Sequence, residues 1–469
     1  NSWRTSESPG NMDGAWLFVK YKKVSDGKWY HASLSTNNAN HSPGKNSEAA
    51  INSAQGGTGA MFYRKKNGSG LFISTDVKLR WNYGSNGLTS NVENEISDIK
   101  VLGIEMVYVP KGAFYVGSGA AEANSFYTYG SNQPYQISSE NSINAGAVNG
   151  NLYFEANATD GDVIANVPAA YPKGFNSFWC MKYEVSQEQY ADFLNKLSPS
   201  QAANRYPNAF NSNGYYIKLV NGVYGCDANN NGILNEANDG QQTGCNYLTW
   251  ADCAAYSDWA GLSPMTELEY EKASRGTLQP VQNEYAWGSA SILSPGSIEY
   301  PRADNETALS GNCNFYSIET NGRPLRVGIF SGQNTNRVQS GASYYGINDL
   351  SGNVWERVVS AANDAGRAFT GTMGDGELDE SGNANINGWP AANAAGTGLR
   401  GGGWNSVSER LRISDRLYAS FAVMQRNEEF GFRCVIRGLE PIVPNFDGET
   451  VTIGTQEWTA KNLDVTTYR

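Results

Sequence analysis

The stretch from Gly346 to Arg433 constrains the fold of this chain more than any other part of it. It opens with the run GINDLSGNVWE (346–356), and glycine doublets, tryptophans and arginines recur along the rest of it. These residues follow neither a helical nor a strand period. A segment of this kind folds around something specific, such as a cation, a buried polar network or a ligand. We therefore expect the rest of the main domain to support this stretch.

The composition favours an extracellular, loop-rich protein. The chain has 469 residues, enough for about two to four domains. Only 17% of the residues are charged, so the surface depends on Asn, Ser, Gly and Thr. The net charge of −11 and the lack of a Lys/Arg run argue against nucleic acids and anionic membranes as partners. No apolar run reaches the length of a membrane span.

The cysteines and histidines limit the chemistry that the chain can perform. Six cysteines are too few for a disulfide scaffold, but they suit a secreted protein with one to three bridges. The two histidines, His31 and His41, both lie near the N-terminus. A histidine-based metal centre or a Ser-His-Asp triad therefore cannot be built in the main domain.

Residues 1–100 are predicted to form a small β domain. Apolar and polar residues alternate from Leu71 to Tyr83, which is the period of a strand with one buried face. The ranges 15–21 and 60–64 are predicted to be further strands, separated by Asn/Ser/Gly-rich loops. We expect a β-sandwich of immunoglobulin-like size.

The main domain shows short strands and well-marked helix starts. Residues 104–117 predict two strands around a Pro/Gly turn, and 178–184 predict a strand that leads into a helix. Ser186, Thr249 and Thr266 each precede a predicted helix and have a Gln, Asp or Glu three residues later, which is the pattern of a capping box.

The loop between Cys226 and Cys245 has the pattern of a calcium-binding loop. Its oxygen donors alternate along the chain, and Gly232 stands where an EF-hand loop makes its sharp turn. The last position lacks the bidentate glutamate of an EF-hand, so a solvent-exposed Asn/Asp-rich loop remains the alternative. The candidate ligands are Asp227, Asn229, Asn231, Ile233, Asn235 and Asp239.

Several motifs, taken in order along the chain, carry a family likeness. They are MVYVP (106–110), YEVS (183–186), LTWAD (248–252), MTELEYEKASRG (265–276), YAWG (285–288), GNCNF (311–315), the run 346–356, RGGGW (400–404) and GFRC (431–434). Over about 104–438 the chain resembles the formylglycine-generating-enzyme (sulfatase-modifying factor) family. The resemblance implies an α+β, C-type-lectin-like fold with much irregular structure, over residues 101–438.

The resemblance also implies calcium sites. In the family the segment that matches 349–356 binds a calcium ion, through two side chains and two backbone carbonyls. Here those ligands are Asp349, Gly352, Val354 and Glu356, a hard-oxygen set that suits calcium. A second family site begins at Asn314 and Phe315, but this sequence departs from the family pattern near 319–321, where its remaining ligands fall. We expect one or more calcium ions.

Catalysis is where the resemblance ends. The active enzymes hold copper with two cysteines a few residues beyond the Arg-Gly-Gly motif, and residues 404–416 contain no cysteine here. The serine hydroxyls and aliphatic side chains of this stretch cannot replace a pair of thiolates as ligands for Cu(I). The related ergothioneine-type synthases need histidines, which this domain lacks. We therefore expect a pseudoenzyme without copper.

The cysteines are expected to be structural. A Cys226–Cys245 bridge would close the proposed calcium loop. The resemblance places Cys180 and Cys434 on the first and last strands of the lectin-like domain, which pair in this fold, so a second bridge is expected there. Whether Cys253 and Cys313 pair stays open.

Residues 439–469, expected to be a linker and the start of a C-terminal repeat domain, suggest where the protein acts. Residues 450–469 resemble the opening of a repeat domain of surface proteins from Bacteroidota and Fibrobacter relatives, with a strand-turn-strand pattern. The resemblance implies that the native polypeptide continues beyond Arg469 and that it lies outside the cell or on the outer cell surface.

Three functions follow from these observations. We expect a non-catalytic, calcium-stabilised structural, adhesive or filament-forming surface protein, whose partner is a protein, a glycan or another copy of itself. The alternatives are a lectin-like receptor, comparable to the variable proteins of diversity-generating retroelements, and an oxidase of the formylglycine-generating type. The receptor face would include Trp404, Asn405, Ser406, Arg410 and Arg412. For Trp404, burial in the core beside the glycine turn is the favoured interpretation.

Overall fold

A computed structural model describes residues 1–118, 122–157, 160–316, 322–332 and 335–442, together with the backbone of two strands at 450–453 and 456–459. Within this part of the chain the fold is mixed α/β, with more strands than helices and several small sheets. No helix there is long and apolar enough to cross a membrane.

The N-terminal third of the chain consists mainly of strands. These are β1 (Ser2–Trp3), β2 (Asp13–Lys23), β3 (Trp29–His31), β4 (Ala49–Ser53), β5 (Ala60–Arg64) and β6 (Gly68–Ser69), then helix α1 (Val92–Glu95), β7 (Ile96–Val109), β8 (Phe114–Val116), β9 (Tyr127–Thr128), β10 (Tyr135–Ile137) and β11 (Leu152–Tyr153).

The remainder of the chain alternates helices and short strands. The elements are β12 (Phe178–Met181), α2 (Gln187–Leu194), α3 (Pro199–Arg205), β13 (Ile217–Val220), β14 (Val223–Cys226), α4 (Trp250–Trp259), β15 (Ser263–Pro264), α5 (Glu267–Arg275), β16 (Ile298–Glu299), β17 (Thr307–Ala308), α6 (Arg337–Ser340), β18 (Trp355–Val359), α7 (Asp364–Arg367), β19 (Thr397–Arg400), β20 (Phe430–Gly431), β21 (Cys434–Arg437), β22 (Thr450–Ile453) and β23 (Gln456–Thr459).

One sheet joins the N-terminal segment to the main domain. It has eight strands in the order β15-β21-β12-β7-β2-β5-β4, and β3 also pairs with β2. Strand β2 lies antiparallel to β7 from Asp13 to Lys23, so the first strands continue the sheet of the main domain. The predicted separate β-sandwich is therefore not formed, because its long strand pairs with β7 instead of with a second sheet of its own.

The predicted strand at 71–83 is also wrong. Leu71 is 82% exposed and Ile73 is 63% exposed, so the alternation there does not mark a buried face. The segment makes only isolated bridges, at Lys78 with Ser42 and at Trp81 with Leu34. Strand β7 already occupies the edge of β2 that a further long strand would need. The strands predicted at 15–21 and 60–64 are confirmed as β2 and β5.

Aromatic side chains pack the N-terminal strands onto the main domain. Trp16 of β2 is fully buried, and its indole nitrogen donates to the Ala260 carbonyl over 2.8 Å. Phe18 meets Trp259 edge to face at 5.2 Å between ring centroids. Burying an aromatic side chain stabilises a fold by about 1.5–3 kcal/mol. The first strands therefore share one core with helix α4.

The predicted helix starts are confirmed. Ser186, Thr249 and Thr266 each accept a hydrogen bond from the backbone three residues on, and the side chain there reaches back to the cap, which completes a capping box. Helices α4 and α5 are followed by Gly261 and Gly276, whose φ angles of +68° and +71° suit glycine.

A buried lysine ties the N-terminal strands to the chain near residue 376. Lys20 is 1% exposed, and its ammonium group donates to the Gly376 carbonyl over 2.7 Å. It also lies 5.0 Å from the Trp259 ring. Burial lowers the Lys20 pKa to about 7, although the nearby carboxylates Glu377 and Asp258 oppose this shift.

Replacing this lysine with methionine tests the electrostatic cost of its burial. Between about pH 7 and its unfolded pKa near 10.4, Lys20 binds fewer protons in the folded than in the unfolded state, so its burial becomes less costly as pH rises. We expect Lys20→Met to gain most relative to the wild type at pH 6 and least near pH 10. Urea denaturation across this range measures the difference, with the exposed Lys45→Met as control. A difference that does not change with pH would contradict the prediction.

Candidate metal centre

A tight turn precedes strand β18 and brings the predicted calcium ligands together. Asp349, Gly352 and Asn353 have φ angles of +58°, +90° and +65°. A Cβ atom on Gly352 would lie 2.5 Å from the Cys313 sulfur and 2.7 Å from the Asn314 carbonyl oxygen. Only glycine fits at this position, which explains why the turn needs it.

Asn353 holds the turn in place. Its side-chain oxygen accepts from the Leu325 backbone over 2.8 Å and from the Asn314 amide over 2.9 Å. Its backbone N–H donates to the Asn314 carbonyl over 2.9 Å, and its amide group donates to Glu184 over 2.5 Å. These hydrogen bonds fix the backbone between the two predicted carboxylate ligands.

Three carboxylates lie around this turn. Glu184 is 1% exposed and accepts from the Val354 backbone over 3.0 Å. Glu356 is fully buried in β18, and one of its oxygens pairs with Arg433 at 2.5 Å. Asp349 accepts from the Gly328 backbone over 2.6 Å. The main domain thus concentrates acidic groups beside one buried arginine.

The electrostatics show an excess of negative charge. Burial raises the pKa of Asp349 and of Glu356, and it raises that of Glu184 well above the usual range. The charges of Asp349 and Glu356 add to the shift at Glu184, whereas Arg433 opposes it. Such a cluster is stable only if protons or a cation balance it.

Two orphaned oxygens also suit a hard cation. The second carboxylate oxygen of Glu356 and the side-chain oxygen of Asn314 are buried without a hydrogen-bond partner in the described structure. Within that same part of the chain, no group of three or more His, Cys, Asp or Glu could hold a metal. An ion here would therefore need backbone oxygens. Asp349 and Glu356 would hold it with the carbonyls of Gly352 and Val354, and calcium would balance the buried charge.

Sequence reasoning missed two residues of this site. Glu184 and Arg433 stand in the motifs YEVS and GFRC, which indicated the family but were not assigned a role. Glu184 hydrogen-bonds the turn, and Arg433 pairs with the predicted ligand Glu356. A charged residue inside an otherwise apolar strand motif was the signal that could have identified them.

The second family site is only partly described. Asn314 is 2% exposed and belongs to the same network, through its hydrogen bond to Asn353. The carbonyl of Phe315 accepts from the Ser294 hydroxyl over 3.2 Å. The remaining positions, 319–321, lie outside the described residues, so this site stays a prediction.

The structure brings the first half of the 227–239 loop together. Asp227 accepts from the Asn231 and Gly232 backbone at 3.0 and 3.1 Å and from the Lys218 ammonium group at 2.9 Å. Asn229 and Asn231 both donate to Glu236, which sequence reasoning did not select. This half has the turn of an EF-hand loop, but hydrogen bonds within the protein engage its oxygens.

The second half of the 227–239 loop departs from the EF-hand pattern. Asn235 turns to the Cys226 backbone, from which it accepts over 2.8 Å, and Ile233 donates its backbone N–H to Asn231 over 2.8 Å. Asp239 accepts from the Glu236 backbone over 2.8 Å, and its other oxygen is buried without a partner in the described structure. Calcium binding by this loop remains a prediction.

The cysteines differ from expectation. All six are buried free thiols. Strands β12 and β21 do pair, but Cys180 lies opposite Val435, so the side chain of the next residue, Cys434, projects from the other face of the sheet. Cys434 instead contacts the Ser257 hydroxyl at 3.1 Å. The predicted Cys180–Cys434 bridge is therefore wrong.

The other thiols are also unbridged. Cys226 and Cys245 belong to the same apolar cluster, yet both are free thiols in this structure, and the Cys245 sulfur is directed to the Asn246 carbonyl. The predicted Cys226–Cys245 bridge is thus not formed. Cys253 and Cys313 are free thiols in different apolar clusters, so they do not pair with each other in this structure.

The predicted receptor face is largely internal. Trp404 is 6% exposed, and its indole nitrogen donates to the Glu428 carbonyl over 3.0 Å, as expected for a core residue. Ser406 is buried and donates to Glu429 over 2.8 Å. The other three residues retain some access to solvent. Asn405 is exposed, and the half-buried Arg410 pairs with Asp415 at 2.8 Å. Arg412 is also half-buried, and one of its guanidinium nitrogens has no partner in the described structure.

Comparison with known proteins identifies the family. Residues 95–438, more than half of the chain, match the model of the sulfatase-modifying factor enzyme 1-like domain. The chain belongs to this family. A mouse (Mus musculus) relative named inactive C-alpha-formylglycine-generating enzyme 2 is 30% identical over 143 residues, which cover 30% of this chain and 39% of that protein.

Solved structures show a more distant likeness. The Treponema denticola variable protein 1 is 14% identical, with a TM-score of 0.32, over 71% of this chain and 96% of its own. The crystal structure of CarF is 15% identical, with a TM-score of 0.28, over 63% of this chain and 96% of its own. A variant of the major tropism determinant, U1, is 12% identical, with a TM-score of 0.24, over 89% of this chain and 93% of its own.

Melting temperatures measured with calcium and with EDTA, in the wild type and in variants, should show where the ion binds. A ligand bound only by the folded state at about 100 times its Kd stabilises that state by about 2.7 kcal/mol. We expect calcium to raise the melting temperature of the wild type, and Glu356→Gln to abolish this increase. Glu356→Gln should also lower the stability in EDTA by about 3–5 kcal/mol, because Arg433 loses its buried partner.

Two further variants test whether the ion binds the turn before β18 or another site. Glu429→Gln removes a partly buried carboxylate outside the turn and should retain the response to calcium. Asp227→Asn should retain it too. If Asp227→Asn alone abolishes the response, the ion binds the 227–239 loop and not the turn before β18.

Proposed function

We propose that this protein is a non-catalytic, calcium-stabilised extracellular structural, adhesive or filament-forming protein on the surface of a bacterium. The observation that carries the non-catalytic part of the proposal is the state of its thiols. Burial raises the pKa of Cys180 and Cys434 to about 12 and raises that of the other four cysteines. A buried thiol that stays protonated is a poor ligand for copper and a poor nucleophile.

The two histidines support the same proposal. Both lie in the N-terminal segment and are buried. Burial lowers the His31 pKa to about 3, and its ring contacts the Thr58 carbonyl at 2.6 Å. His41 contacts the Ser35 carbonyl at 2.8 Å. Both imidazoles thus serve the packing of the segment, which leaves the main domain with oxygen donors that favour calcium.

A copper and turnover assay tests the absence of catalysis. We expect the protein to bind no Cu(I) at one ion per chain and to convert no cysteine of a synthetic peptide to formylglycine under oxygen, because the thiols are protonated and enclosed. Mass spectrometry of the peptide and metal analysis of the dialysed protein give the readout. Stoichiometric copper together with turnover would overturn the proposal.

A lectin-like receptor is the second candidate. The favouring observation is the partial exposure of Arg410 and Arg412 beside the exposed Asn405, at the segment after the glycine triplet. Arg412 has an unpartnered guanidinium nitrogen within the described structure. Trp404 cannot stack on a ligand in this arrangement, because it is buried.

A glycan array tests the receptor function. We expect any ligand of this face to lose about tenfold or more in affinity in Arg412→Ala, because hydrogen bonds to charged groups contribute about 1.5–3 kcal/mol. Arg80→Ala, which changes an exposed arginine of the N-terminal segment, is the matched control. Binding that is equal in both variants would exclude this face.

A further inference from the structure

A cleft of about 480 Å³ is lined by residues from 211–216, 297–302 and Arg323, none of which belongs to the predicted receptor face. Its volume falls in the range typical of ligand sites, about 300–1,000 Å³. Its polar lining comes from two arginines, two amide side chains, a hydroxyl and a phenol, and none of the described residues that line it is acidic. These six residues are Asn211, Asn213, Tyr216, Ser297, Arg302 and Arg323.

A buried carboxylate fixes the first arginine of the cleft. Glu306 is fully buried, and its carboxylate pairs with the Arg323 guanidinium group. The same carboxylate accepts from the backbone of Arg302 and of Arg326, both over 2.8 Å. Glu306 thereby orders the wall of the cleft from behind, without a place in its lining.

The second arginine has an unsatisfied donor. The Nε atom of Arg302 is buried and has no hydrogen-bond partner within the described structure. The Arg302 backbone is held by the Glu306 carboxylate and by a hydrogen bond of 2.9 Å from the Gly240 N–H to its carbonyl. Its side chain hydrogen-bonds the Tyr216 phenol, and no carboxylate of the described residues forms a salt bridge with it. This leaves one net positive charge among Arg302, Arg323 and Glu306.

The backbone around the cleft is unusual. Arg302 has a φ angle of +70° and Tyr300 one of +51°, a region that bulky side chains rarely adopt. Asn211 and Asn213 on the facing turn have φ angles of +60° and +41°. Such conformations concentrate at ligand-binding sites. Three residues that line the cleft, Arg302, Asn211 and Asn213, have this conformation.

The charge of the cleft contrasts with its surroundings. The whole chain has a net charge of −11. A neighbouring cleft of about 490 Å³ is lined by Glu105, Glu184 and Asp304 along with Arg326, and another of about 460 Å³ also contains glutamates. A cleft lined by positive charge attracts anions locally even when the whole protein is acidic, so an anionic ligand is favoured.

The remaining chemistry favours a sugar. Amide side chains and a hydroxyl hydrogen-bond the hydroxyls of a sugar, and the exposed Pro301 forms part of the lining. Tyr300, next to it, is 60% exposed. A guanidinium group binds a carboxylate through two parallel hydrogen bonds. We propose that this cleft binds a carboxylated saccharide, with Arg302 on the carboxylate and Asn211 and Asn213 on the hydroxyls, while Arg323 stays paired with Glu306 and the Pro324 carbonyl.

Calorimetric titration with oligogalacturonate tests the site on the full chain. We expect saturable binding of oligogalacturonate and none of a neutral galactose oligomer of the same length. Arg302→Gln should weaken binding about tenfold or more, since each tenfold corresponds to about 1.4 kcal/mol. Arg80→Gln, at an exposed arginine elsewhere, should bind as the wild type does.

Each other result has a defined meaning. If Arg302→Gln fails to fold, Asn211→Ala changes an exposed side chain of the same cleft and should also weaken binding. Equal binding of polyglutamate would overturn the saccharide assignment, and equal binding by Arg302→Gln and the wild type would overturn the site. The experiment requires neither calcium nor the absence of catalysis, so its outcome is independent of the proposed function.

Discussion

Buried ion pairs on helix α5 hold the main domain together. Glu267 pairs with Arg400 at 3.0 Å and with Arg416 at 3.3 Å, and Glu271 pairs with Arg400 at 2.7 Å. These groups are at most 1% exposed. Removing one partner of such a pair is costly, about 3–5 kcal/mol, because the other charge stays buried without compensation.

Ion pairs of helix α5 also link the eight-stranded sheet to a three-stranded sheet of β19, β18 and β20. Glu269 of α5 pairs with Arg437 on β21 of the large sheet, whereas Arg400 lies on β19. Strand β19 pairs with β18, where Arg400 lies opposite Glu356. The position of the candidate calcium ligand thus depends on helix α5. This arrangement lets a domain with little regular structure keep a defined site, because directional charge pairs fix its segments.

Local patterns predicted local structure well. The capping boxes at Ser186, Thr249 and Thr266 depend on residues three positions apart, and all three are confirmed. Within the candidate site, sequence reasoning found Asp349 and Glu356 but not Glu184, because its approach to the turn is set by the tertiary fold.

Long-range structure was harder to predict. The alternation at 71–83 has the period of a strand, yet the strand period cannot show which sheet edge is available. The Cys180–Cys434 prediction identified the right pair of strands but not their register, and a shift of one residue reverses the face of a side chain. The sequence predicts a separate sheet for the N-terminal segment, but β2 pairs with β7, and local patterns do not show a pairing between residues so far apart in sequence.

The pairing of β2 with β7 gives the N-terminal segment a protective role. The family domain begins at residue 95, just before β7. Strand β12 covers the other side of β7 only from Met106 to Val109. Without β2, the long strand would present both backbone edges to solvent over most of its length, and exposed edges of this kind recruit other chains into aggregates. The first strands therefore cover a backbone edge that the domain after them would otherwise expose.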